Sequence, residues 1–123
     1  MSLRSPLGRV LGTGSAKDGT GHWWAQRVSA VALIPLTLWF FFSLLLLPSR
    51  DYAAVHAWLA MPQNGFLTVL LVAVLSYHAD LGTSVIVEDY VQSQGLKVSL
   101  LLLLRFVYVL FGGAAIFAIV RVA

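Results

Sequence analysis

The chain has 123 residues, is 59% hydrophobic and only 11% charged, and has a mean hydropathy of +0.87. A soluble domain of this size has no interior large enough to hide so much apolar surface, so the chain is an integral membrane protein. The net charge of +3 comes from scattered basic residues, which excludes a nucleic-acid surface. The absence of cysteine excludes thiolate-held iron–sulfur clusters, disulfides and covalently attached c-type haem.

The first twenty residues are rich in Gly, Ser and Arg and hold no acid before Asp18. Pro6 and several glycines break any amphipathic period, so residues 1–21 read as a flexible cytoplasmic tail that docks on a partner rather than a transit peptide. A secretory signal is excluded because the first apolar run is too long and too far in. The remainder, 22–123, reads as one membrane domain. Residues 28–47 carry no charge and can span, since a crossing helix needs about 20 apolar residues; the first helix is expected over about 25–47, with Pro35 able to kink it. The connection 48–65 holds Asp51, His56, Trp58 and Pro62 and is expected to contain a short interfacial helix with Trp58 at headgroup level. Residues 66–87, interrupted only by His78 and Asp80, predict a second helix over about 65–88. Residues 98–120, interrupted only by Arg105, predict a third over about 97–121. Gly112, Gly113, Ala114, Ala115 and Ala118 give that helix a small-residue face for close packing.

The fold class is therefore all-α, with three transmembrane helices. Arg4, Arg9, Lys17 and Arg27 precede the first helix, while the first loop has Arg50 and the second Lys97. The positive-inside tendency then places the amino terminus in the cytoplasm and the carboxyl terminus outside.

Ionisable residues at membrane depth are costly, so each needs a partner or a task. His78 lies ~14 Å from the cytoplasmic edge of its helix, near the midplane of a ~30 Å core. A neutral imidazole bonded to a neighbouring helix satisfies that position, and so does an axial ligand to haem iron. Gly82, one turn along on nearly the same face, leaves room for a flat macrocycle. His22, read as preceding the first helix, and His56, in the outer loop, cannot reach that depth, so a bis-histidine haem must be shared with another subunit. Asp80 is about 200° around the helix from His78, and Arg105 sits at matching depth on the next helix. An Asp80–Arg105 ion pair follows; alternatively Arg105 meets a haem propionate or lines a quinone entrance.

His78 and Asp89 are eleven residues apart, within roughly 20° of one helix face and ~16 Å apart along the axis. Glu88, Asp89 and Tyr90 end the second helix opposite Trp23, Trp24, Gln26 and Arg27. This is either an interfacial belt or a slot for an amphipathic ligand such as a quinone, with the tyrosine hydroxyl as donor.

Two segments taken together, HWWAQRVSAVAL (22–33) and HADLGTSVIVEDYV (78–91), closely resemble the hydrophobic membrane-anchor subunits of succinate dehydrogenase, respiratory complex II. The tail looks most like alphaproteobacterial members. The resemblance implies that His78 is an axial ligand of haem b, sharing the iron with a companion cytochrome b556-type subunit. It implies that Tyr90 hydrogen-bonds ubiquinone with Asp89 beside the site, and that Arg27 approaches the quinone or a haem propionate. Asp80 and Arg105 map to no family role. The expected partners are a flavoprotein subunit, an iron–sulfur subunit, the companion cytochrome and the lipid bilayer of a bacterial inner membrane. No activity is expected from this chain alone. A fumarate reductase anchor is the near alternative. A small proton-coupled transporter subunit, relaying protons through Asp80 and His78, is the alternative from another class.

Overall fold

The structure, a computed structural model, describes residues 15–123, and these form four helices: α1 Ser15–Leu45, α2 Tyr52–Ala60, α3 Pro62–Tyr90 and α4 Gln94–Val122. Helices α1, α3 and α4 are long and apolar enough to cross a membrane. Helix α3 is the central element, packed against α1 on one side and α4 on the other, with short α2 lying against α3 and α4. At 29 residues, α3 is ~44 Å long, so its ends project beyond a ~30 Å hydrocarbon core. Glu88 to Tyr90 form its last turn.

The burial pattern inverts that of a soluble protein. Ser29, Asn64, Thr68, Asp80 and Ser84 are buried, whereas Phe41, Phe42, Leu102, Phe106, Val109 and Phe111 are exposed on the outer faces. Lipid tails are as apolar as leucine, so hydrophobicity drives no helix onto its neighbour; small and polar side chains mark the contacts. Gly112 shows the limit of this, because a Cβ there would stand 2.8 Å from Ser76 Oγ. Of the expected small-residue face, Gly112 makes the close approach to α3, whereas Gly113, Ala114 and Ala118 are exposed.

The α2–α3 corner turns on one extended residue, Met61 (φ −67°, ψ 124°), which ends one helix and precedes the next. Pro62 occupies the first position of α3, where no backbone N–H is needed. The Asn64 side-chain amide donates to the Trp58 carbonyl at 3.0 Å and closes the corner. Asp51 caps α2 by accepting from the Ala54 N–H at 2.9 Å, which satisfies one of the free donors of the first turn.

Three expectations need correction. Helix α1 begins by Ser15 rather than near residue 25: extending an existing helix adds a hydrogen bond per residue without a new nucleation cost, so seven residues of the expected tail, 15–21, are helical. The rest of that tail, 1–14, lies outside the described residues. His22 consequently stands inside α1 rather than before it. Trp58 is not a headgroup anchor. It is buried at 8% exposure, stacked on Trp39 with centroids 5.5 Å apart and edge-on to Phe40 at 6.0 Å, so it seats α2 on α1.

Candidate functional site

Residues His22, Gln26, Ser29 and Leu33 recur at helical spacing and form the stripe of α1 nearest α3. Ser29 is buried in that contact. Its hydroxyl lies 2.8 Å from His78 Nδ1 on α3 and 3.0 Å from the Gln26 carbonyl oxygen one turn back. The hydroxyl has one proton, and the carbonyl can only accept. Both contacts contain a proton only if Ser29 donates to Gln26 and accepts from His78 Nδ1–H. A neutral imidazole protonated on Nδ1 carries a lone pair on Nε2, and Nε2 has no hydrogen-bond partner among the described residues. The ring is thus held on one nitrogen and left with a free donor atom on the other.

One turn beyond His78 is Gly82. A Cβ there would meet only the Gln26 side-chain amide, at 3.6 Å, so the glycine borders space rather than a tight contact. That space is an open cavity of about 710 Å³ lined by His22, Trp23, Gln26, Arg27, Gly82, Val85 and Glu88. Two buried atoms on its wall, His22 Nε2 and Gln26 Oε1, have no hydrogen-bond partner among the described residues. A buried polar atom without a partner costs about 1–3 kcal/mol, and here both donor and acceptor types are free to meet a polar group. Arg27, over the Trp23 ring at 5.3 Å from its centroid, adds a fixed positive charge at the same wall.

The structure brings only some of the expected site residues together. Arg27 and Gly82 share the cavity; His78 lies one turn below it; Tyr90 and Asp89 are on the exposed last turn of α3 and do not line it. Tyr90 is 82% exposed, with its hydroxyl free of partners among the described residues, so it faces whatever covers that end of the bundle. His22 sits seven residues before Ser29 on α1, ~10 Å nearer the Tyr90 end than His78. His56 is on α2 at the opposite end, against Tyr52. Neither reaches His78.

On the other face of α3, Arg105 Nε is 3.4 Å from Asp80 Oδ2. The expected ion pair is present, and Asp80 faces α4 while His78 faces α1. A proton relay between His78 and Asp80 is therefore not built. The sequence did not single out Ser29, and it weighed His22 only as a second iron ligand, not as part of this wall. Their signal was present as the polar stripe of α1, but small polar residues are common in membrane helices.

These features define a three-span membrane subunit with an open imidazole at mid-depth and an unfinished polar cavity near one surface. The chain belongs to the succinate dehydrogenase/fumarate reductase transmembrane subunit family, whose model matches residues 1–114. It is 34% identical over 105 residues to the succinate dehydrogenase hydrophobic membrane anchor subunit of Rickettsia bellii, covering 84% of this chain and 82% of that one. It is 32% identical over 121 residues to that of Paracoccus denitrificans, covering 98% and 93%. The succinate dehydrogenase membrane anchor subunit of Reclinomonas americana is 28% identical over 92 residues, covering 72% of this chain and 77% of its own. The chain is a multi-pass inner-membrane protein.

Proposed function

We propose that this chain is the hydrophobic anchor of a succinate:ubiquinone oxidoreductase, placed with its amino terminus in the cytoplasm. It holds a flavoprotein and an iron–sulfur subunit on the membrane and shares a haem b with a companion cytochrome subunit. The observation that carries the haem assignment is the His78 imidazole, tied through Nδ1 and open at Nε2, beside a glycine. The residues fit the group: a neutral imidazole is a good iron ligand, and the unpartnered His22 and Gln26 atoms, with Arg27, suit the polar edge of a bound molecule. Any further ligand to the iron would come from outside this chain.

Haem b, when bound, supplies a one-electron store between the head and the quinone. This chain's own residues act around it. His78 holds the iron from the α3 side. Arg27, fixed against Trp23, meets a carboxylate or a quinone oxygen at the cavity wall. Tyr90 donates its free hydroxyl to a ubiquinone carbonyl, and Asp89 beside it sets the local field or delivers a proton from the aqueous side. Both residues lie where α3 leaves the hydrocarbon core, so a quinone head there meets water-borne protons and electrons from a cytoplasmic head.

Two measurements on the purified complex test this. The reduced-minus-oxidised spectrum should show a low-spin haem b signature that His78→Ala removes; an unchanged spectrum would remove His78 from the iron. Tyr90→Phe keeps the ring and deletes one hydrogen bond, worth about 1–3 kcal/mol, so quinone reduction should fall roughly ten- to hundredfold. Succinate oxidation with a soluble artificial acceptor should persist. Full retention of quinone reduction would take Tyr90 out of the site.

A further inference from the structure

We infer that Ser29 is the positioning residue for the His78 ligand: its hydroxyl, turned by the Gln26 carbonyl, holds His78 in the Nδ1–H tautomer and fixes its ring plane. The inference rests on the proposed haem role of His78 but adds a residue on a different helix. Its basis is the arrangement of three atoms. Ser29 Oγ is 3.0 Å from Gln26 O and 2.8 Å from His78 Nδ1. If Ser29 gave its proton to Nδ1 instead, the Ser29 and Gln26 oxygens would face each other at 3.0 Å with no proton between them. The carbonyl therefore dictates which way the hydroxyl points, and the hydroxyl dictates which ring nitrogen is protonated.

The surroundings make this control effective. Ser29 is 6% exposed, and on its outer side lies a groove lined mainly by apolar groups, including Trp24, Ala25, Val28, Ala32, Val74 and Tyr77. In such low-dielectric surroundings a hydrogen bond is electrostatically stronger than in water, and an unmade one is costly. The Gln26 carbonyl is held by the α1 backbone, so the hydroxyl is oriented before any ligand arrives. A metal-bound histidine depends on the bond at its other nitrogen for orientation and basicity. An acceptor at Nδ1–H makes the imidazole a stronger donor and favours the oxidised iron. Because Ser29 is on α1 and His78 on α3, the same bond locks the packing of two helices to the geometry of the ligand.

The test compares Ser29→Ala and Ser29→Thr in the assembled complex, with His78→Ala alongside. Ser29→Ala should raise the haem midpoint potential, shift the low-field electron paramagnetic resonance feature, and weaken haem retention roughly ten- to hundredfold. Ser29→Thr keeps the hydroxyl and should restore all three. A purely structural role would leave potential and resonance unmoved in whatever haem-loaded complex survives. Unchanged potential and resonance in Ser29→Ala, with the spectrum abolished in His78→Ala, would overturn this inference and leave the haem assignment standing. A normal spectrum in His78→Ala would overturn both. Should Ser29→Ala fail to assemble, Ser29→Cys, similar in size but with a weak acceptor, must give a raised potential; the wild-type value there would overturn the role.

Discussion

The ion pair between α3 and α4 gives the sharpest energetic test. Asp80 is ten residues before the end of α3 at Tyr90, and Arg105 eleven after the start of α4 at Gln94, so both lie ~15–16 Å from that end of the helix pair, within the hydrocarbon core but short of the helix midpoints. Asp80 is 12% exposed and Arg105 69% exposed as side chains, and Asp80 Oδ1 is buried without a hydrogen-bond partner among the described residues. Asp80→Asn leaves a lone arginine at that depth, which costs about 2.5–3.5 kcal/mol. Arg105→Gln leaves a lone buried carboxylate, at about 3–5 kcal/mol if it stays charged and less if it takes a proton. The double variant carries no charge and two amides able to bond each other, so it should lose about 1 kcal/mol. The resulting coupling, about 4.5–7.5 kcal/mol with the carboxylate charged and smaller if it takes a proton, exceeds the ~0.6 kcal/mol average and ~1.7 maximum for hydrogen bonds between membrane helices. Denaturant unfolding of the purified complex in bicelles, as a double-mutant cycle, measures it. A coupling below about 1 kcal/mol is the value of a water-exposed pair and would refute the placement within the hydrocarbon core. Strict additivity would refute the pair itself.

Gly112→Ala should destabilise by about 1–3 kcal/mol, because its Cβ would stand 2.8 Å from Ser76 Oγ and 3.2 Å from Ser76 Cβ; Ser76→Ala should relieve part of this, and Gly113→Ala, with nothing within 4 Å, should be neutral in thermal unfolding. Trp58→Ala removes the stack on Trp39 and should cost about 3 kcal/mol, read as faster amide exchange throughout α2, while Trp58→Phe should keep most of the protection. Asp51, accepting from the Ala54 N–H and from Ser49, has its carboxyl held below the usual aspartate range. A lowered folded value means that the cap's contribution is present above that range and is lost as pH falls through the lowered value. Exchange in α2 should therefore accelerate at acid pH beyond the intrinsic rate, and Asp51→Asn should abolish that pH dependence.

The contrast between Asp80–Arg105 and His78–Ser29 shows what a sequence of this kind makes readable. Helices α3 and α4 are joined by only residues 91–93, so counting outward from the turn sets their relative depth, and two opposite charges at equal count must meet. Helices α1 and α3 are separated by residues 46–61, including α2 and its corner, and their register follows from how Trp58 seats on Trp39 and Phe40 and how Asn64 closes the turn. No count along the chain supplies that. Three spans were legible because the bilayer fixes both length and apolarity, and the imidazole stood out because charge at depth is rare. Ser29, 49 residues before its partner, is chemically ordinary; it gains meaning only when the α1–α3 register places its hydroxyl between a carbonyl and a histidine. The early start of α1 was hidden for a related reason. His22 and Gln26 look like surface residues until the helix carries them onto α3, where their unpartnered atoms mark the wall of a cavity rather than the edge of a tail.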